Sequence, residues 1–372
     1  MGYCEICYAA CEARYCAGCA PSAPAPSPQV VLKRESRLDG HSDRVYDVAW
    51  GSDDRLASVG QVGGFVWSIG DQKQLAPLDG DELMRVCWHG DHVITGSSLG
   101  KMQVCSPIDG RPKATLDTNQ EDEVYGLESL TSNLAVGAGD TLQLWDVEKE
   151  TCLKRETCVK SPNGIVFGGH RNPDQKSYIF SMARKGDILV SAVSDGTVRL
   201  NDARTLESVD SVDLHARRGN SAYAVAASST APLIASADQR GSVLLWDMRH
   251  LEEPVAECSN PGAVHALAFV DDLVVSAGAD GRLRAHASKD LSVEASASVL
   301  NSILCVKAEG ARVASAGGTG KTISDAGIQL WRVGVEGGPE AADGADGDAR
   351  GEAAEAMSVV ILLSILSVPA FF

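Results

Sequence analysis

One short apolar stretch ending in Trp-Asp, Leu142-Gln143-Leu144-Trp145-Asp146, returns along the chain at a nearly fixed interval. Val243-Leu244-Leu245-Trp246-Asp247 and Ile328-Gln329-Leu330-Trp331-Arg332 are close copies, and Phe65-Val66-Trp67-Ser68 is a looser one. Met102 to Cys105, Val198 to Asp202 and Leu283 to His286 keep the frame without the tryptophan. The aligned positions are 67, 105, 145, 201, 246, 286 and 331, separated by 38, 40, 56, 45, 40 and 45 residues. Within each interval the same grammar recurs. A first strand has apolar residues at i, i+3 and i+5, as in Val45, Val48 and Trp50. A second strand carries a small hydroxyl: Ser58, Thr95, Ser191, Ser236, Ser276 and Ser315, with Val136 the exception. A turn with Gly or Asp-Gly leads to the third strand, and a polar fourth strand follows.

A period of this length, with four short strands per unit, predicts the blades of a β-propeller, seven in number. The seventh unit runs out after Val333, whereas Val30 to Glu35 stands before the first complete unit without a blade of its own. Pairing these two segments closes the ring and removes both sheet edges. The fold class expected is therefore all-β, a seven-bladed propeller over residues 30–333 closed by an N-terminal strand. The 56-residue interval carries an insertion in the fourth blade, placed at Gly168 to Lys185.

Residues 30–333 resemble WD-repeat β-propellers. That family pairs the Trp of the third strand and the hydroxyl of the second with an Asp in the turn between them and a His before the first strand. The resemblance implies a hydrogen-bonded relay across each blade. Asp195, Asp280 and Asp325 match the acid, and His41 fits the histidine slot of the first blade. No blade shows all four at the family spacing, so the repeats are divergent.

Outside the repeats the chain changes character. Residues 1–20 hold Cys4, Cys7, Cys16 and Cys19 as two C-x2-C pairs, four thiolates of the kind that hold a structural Zn2+ in a tetrahedron. Twenty residues cannot bury a core, so the metal would supply the folding energy. With Tyr15 before Cys16, this zinc knuckle is similar to the opening half of a B-box zinc finger, although Cys11 offers a competing ligand and the downstream ligands are missing. Residues 21–29 form a Pro-rich linker, and 334–356 an acidic linker expected to be disordered. The hydrophobic tail 357–372 covers about 24 Å as a helix, short of a roughly 30 Å hydrocarbon core. It is interrupted by Pro369 and lacks flanking basic residues, so membrane contact is not favoured.

A net charge of -17 disfavours nucleic acid. Met1 to Glu5 does not read as a secretory leader, so a cytoplasmic or nuclear protein is expected. Gly317 to Thr322 imitates a phosphate loop but has Ser315 where the first glycine belongs and joins two strands. Converging acids, nucleophiles or metal ligands are not found in the repeats, so no enzyme is expected.

The expected function is a scaffold that binds protein partners through the propeller rim. The alternative is a substrate adaptor of a ubiquitin ligase assembly. The residue after each first-strand apolar position should sit at the channel mouth: Tyr46, Met84, Tyr125, Asn163, Tyr223, His265 and Leu304. Two residues earlier come Arg44, Glu82, Glu123, Ser161, Ser221, Ala263 and Ser302. Tyr46, Glu82, Met84, Glu123, Tyr125, Tyr223 and His265 are the candidate partner-binding set, suited to a basic or aromatic-rich peptide.

Overall fold

Strands of five to seven residues with one buried face need a neighbouring sheet on that face, and the chain supplies one at every blade. The computed structural model describes residues 29–119, 123–131, 133–157, 177–299, 302–318 and 327–336, together with four short strands at 2–3, 10–11, 165–167 and 170–172. Seven four-stranded antiparallel sheets follow one another in chain order. Their first strands are Val45–Gly51, Leu83–His89, Val124–Ser129, Ile179–Lys185, Ala222–Ala227, Val264–Val270 and Ile303–Glu309. Each first strand packs beside the next, and the seventh beside the first, so the sheets form a closed ring about a channel.

Closure occurs as the unpaired ends predict. Gln29–Leu38 is the outer strand of the seventh blade and pairs antiparallel with Ile328–Glu336, from Gln29 opposite Glu336 to Leu38 opposite Ile328. The third strand of that blade thus runs three residues past the expected end at 333. Glu35 bulges out of the ladder, and its carboxylate meets Arg332 at 2.5 Å.

The core is divided rather than single. Seven apolar clusters lie one at each interface between neighbouring blades. Val190, Ile234 and Trp246 join the fourth and fifth blades. Leu38, Trp67 and Ile328 join the seventh and first. The fourth strands are mostly exposed, as in Thr151–Thr157 and Ser208–Val212.

The fourth blade corrects the placement of the insertion. Its first strand is Ile179–Lys185, so 177–185 belongs to the blade and the extra chain lies before it. Within the extra chain Ile165–Phe167 pairs with His170–Asn172. Ser161 and Asn163, the cysteines Cys4, Cys7, Cys16 and Cys19, Asp325, most of the glycine-rich turn, the acidic linker beyond Glu336 and the tail 357–372 lie outside the described residues.

Candidate functional site

Inside each blade the second-strand hydroxyl organises the polar interior. In the fifth blade Ser236 Oγ accepts from Trp246 Nε1 at 2.9 Å and lies 2.8 Å from His215 Nε2. His215 Nδ1 reaches Asp238 at 3.1 Å, and Asn220 also donates to that carboxylate. All four members of the WD-type relay meet here. Sequence spacing missed it because Asp238 follows the serine by two residues, whereas Asp195 and Asp280 follow theirs by four. Those two acids instead pair with Arg199 and Arg284.

The other blades keep parts of the relay. Ser58 joins His41 and Trp67, both at 2.7 Å, and Trp331 donates to Ser315 at 2.8 Å. Where Val136 replaced the hydroxyl, Gln143 Oε1 accepts from Trp145 at 2.9 Å. In the sixth blade His286 occupies the tryptophan position, 2.8 Å from Ser276, to which Asn260 donates. The second and fourth blades have Cys105 and Asn201 in the tryptophan position, and the hydroxyls of Thr95 and Ser191 are left buried without a partner.

The channel mouth is built from seven irregularities. Every first strand skips one residue in its ladder to the second, at Tyr46, Met84, Tyr125, Phe180, Tyr223, His265 and Leu304. A bulge of this kind re-aims one side chain out of the pleat. All seven side chains are half-buried. Six of them are the positions expected from sequence. In the fourth blade the position belongs to Phe180, not Asn163. Counting back 11 to 13 residues from each second-strand hydroxyl position would have found it, since that offset holds in all seven blades.

Four of these rings touch in succession. Tyr125 and Phe180 centroids are 5.7 Å apart at 84°, Phe180 and Tyr223 5.3 Å at 88°, and Tyr223 and His265 6.0 Å at 18°. Burial lowers the His265 pKa to about 4, so its imidazole is neutral at physiological pH. Glu82 is exposed at a positive φ of 48° and accepts from Ser98 at 2.9 Å. Glu123 is half-buried and raises the Tyr125 pKa further after burial has done so.

Charges lie farther in. Asp47, only 4% exposed, accepts from Val86 N at 3.1 Å. Glu128 is pushed up to about 6, chiefly by burial. Lys307 is raised despite its burial, because Asp47 and Glu128 both favour its charged form. A cleft between the fourth and fifth blades is lined by Asp210, Asp213, Arg217, Trp246, Arg249 and Glu252. Its arginines are taken up by Asp213 and Asp247. Among the described residues no three His, Cys, Asp or Glu converge as metal ligands, and no helix is long and apolar enough to cross a membrane.

Residues 32–66 match the family model described as WD domain, G-beta repeat. The chain carries a WD40 repeat in a seven-bladed β-propeller. A curated protein, Protein tipD of Dictyostelium discoideum, is 25% identical over 256 residues, covering 58% of this chain and 41% of tipD. The chain therefore spans about two-fifths of that relative's length. WD40 propellers are generally protein-binding scaffolds rather than enzymes.

Proposed function

We propose that this WD40 propeller is a non-enzymatic scaffold whose channel mouth holds a segment of a protein partner. The observation that carries the reading is the continuous run of rings over four successive blades, Tyr125, Phe180, Tyr223 and His265. Half-buried aromatics, three of these four with a polar tip, supply contact area at low entropic cost and are frequent binding hot spots. Tyr46, Met84, Glu82 and Glu123 extend the surface round the first three blades. The partner segment is basic or aromatic-rich, and the acidic charge of the whole chain disfavours nucleic acid.

The test is a Tyr46→Ala, Glu82→Ala, Tyr125→Ala triple variant, first checked for unchanged melting. Quantitative affinity capture from the native cell should show at least one partner reduced severalfold. Retention of every partner at wild-type level overturns the reading. Ligase subunits among the captured proteins would favour the substrate-adaptor role over a general scaffold.

The paired C-x2-C spacing supports a second element of the proposal, one structural Zn2+ held by Cys4, Cys7, Cys16 and Cys19. The reduced full-length chain should carry one equivalent of zinc, and a Cys4→Ser, Cys16→Ser variant should carry almost none. Equal metal content in the two proteins rules the site out.

A further inference from the structure

Arg85 follows the bulge residue of the second blade and lies beneath the ring of Tyr125, with its guanidinium carbon 5.9 Å from the ring centroid. Its three nitrogens are all engaged. Nε donates to the carbonyl of Tyr125 at 2.7 Å, Nη1 to that of Met84 at 2.8 Å and Nη2 to that of Phe180 at 3.0 Å. These carbonyls belong to the bulge residues of three consecutive blades. A guanidinium supplied by the chain itself thus fills the place beneath the collar that an inserted arginine would seek.

The charges deeper in the channel leave nothing to hold a second cation. Lys307 is faced by Asp47 and Glu128, and Glu128 is also faced by Arg184. Arg184 turns away to the exposed Gly186 carbonyl and Thr131, so Lys307 and Arg85 are the cations set against the two carboxylates Asp47 and Glu128, which leaves no carboxylate at that depth for another. A further buried cation would go uncompensated, whereas a neutral ring would not. The collar itself has no charged member: Tyr46, Met84, Tyr125, Phe180, Tyr223, His265 and Leu304.

Two positions before the bulges of the fifth, sixth and seventh blades stand the small residues Ser221, Ala263 and Ser302, of which Ser221 and Ser302 are buried, so no long side chain from these positions covers the rings. The same positions in the first three blades hold Arg44, Glu82 and Glu123, with Glu82 exposed and the other two half-buried. A flat side chain entering over the small residues meets the rings of Phe180, Tyr223 and His265. The charged sector remains for polar residues that flank it.

We infer that the mouth seats an uncharged aromatic side chain of the partner against Phe180, Tyr223 and His265 and refuses arginine and lysine, with Arg85 setting that preference. The inference rests on the mouth being the docking face and names what enters it. Edge-to-face and offset contacts with the existing rings supply the attraction. Selectivity comes from the guanidinium already in place, a repulsive element of the kind that specificity requires.

The test uses the full chain with ring-labelled phenylalanine, the Phe180 signal being assigned with Phe180→Leu. Indole and p-cresol stand for Trp and Tyr side chains, and methylguanidinium and butylammonium for Arg and Lys. At equal concentration the two neutral probes should shift Phe180 and the two cations should not. In Arg85→Gln, methylguanidinium should gain about tenfold or more in affinity as a buried charge is removed. Arg85→Lys, which keeps the charge, should still refuse it. A cation that shifts Phe180 in the wild type as strongly as indole overturns the inference, and so does the failure of both neutral probes. Either result leaves the docking face itself to be judged by partner capture with the triple variant.

Discussion

Ser236 Oγ serves two nitrogens at once, Trp246 Nε1 at 2.9 Å and His215 Nε2 at 2.8 Å, in a site closed to water. Ser236→Ala would leave both without their partner, and each unpaired buried group costs about 1–3 kcal/mol. Chemical denaturation should record a loss of about 2–6 kcal/mol. Thr95 is the opposite case, since its buried hydroxyl has no partner and Cys105 holds the position from which a tryptophan donates in other blades. Thr95→Val keeps the shape and removes that penalty, so the same measurement should give a gain of about 1 kcal/mol. A destabilisation by Thr95→Val would show that the hydroxyl is satisfied. Glu128 supplies a pH signature. Burial raises its carboxyl from the usual 4.5 to about 6, so the folded state holds the proton more tightly than the unfolded chain. Stability from this group is greatest below pH 4.5, falls as pH rises through 6, and is then level, a total of about 2 kcal/mol. Glu128→Gln should raise the melting temperature at pH 7.5 and leave it nearly unchanged at pH 4.5. Equal effects at both pH values would remove the titration argument.

At the scale of elements, the strand Gln29–Leu38 closes the ring. It contributes a full ladder to Ile328–Glu336, buries Leu38 to 1% exposure, and packs Val30 and Leu32 against the cluster that holds Trp331 and Val333. Deleting residues 1–36 strips this ladder and bares the edge of Ile328–Glu336, which invites strand pairing between molecules. The truncated chain should aggregate or melt at least about 10 °C lower, while deletion of 1–28 should shift melting only slightly. Light scattering and calorimetry on the two truncations decide it, and equal behaviour would refute closure by this strand. The bulges are the second decisive element. One skipped residue at the same place in all seven first strands turns a row of side chains into the collar.

For the whole molecule, stability is shared among seven inter-blade wedges, and no wedge is terminal because the ring is closed. An open solenoid can lose end repeats one at a time, whereas a closed ring has no end to fray. Leu134→Ala, at a fully buried position between the second and third blades, should therefore cost about 2–5 kcal/mol while leaving a single calorimetric transition. A separate early transition for the affected blades would contradict this cooperative ring.

Blade number, blade order and closure were legible in the sequence. They follow from a strand period of two inside a repeat of about 40 residues, and from one unpaired segment at each end, all of which are local or countable. Six collar positions were legible for the same reason. The seventh was not, because the long interval announces an insertion without saying on which side of the first strand it lies, and only the pairing of Ile179–Lys185 with Ile188–Val193 fixes that. The relays that use Asp238, Gln143 and His286 escaped pattern reading because hydrogen bonding depends on where side-chain tips meet across strands, not on residue type at a set spacing. Arg85 is the clearest instance. Its sequence neighbours give no hint that it serves the carbonyls of Tyr125 and Phe180, which lie 40 and 95 residues away. Those groups become neighbours only when consecutive blades pack side by side, so tertiary structure alone decided what the channel mouth already contains.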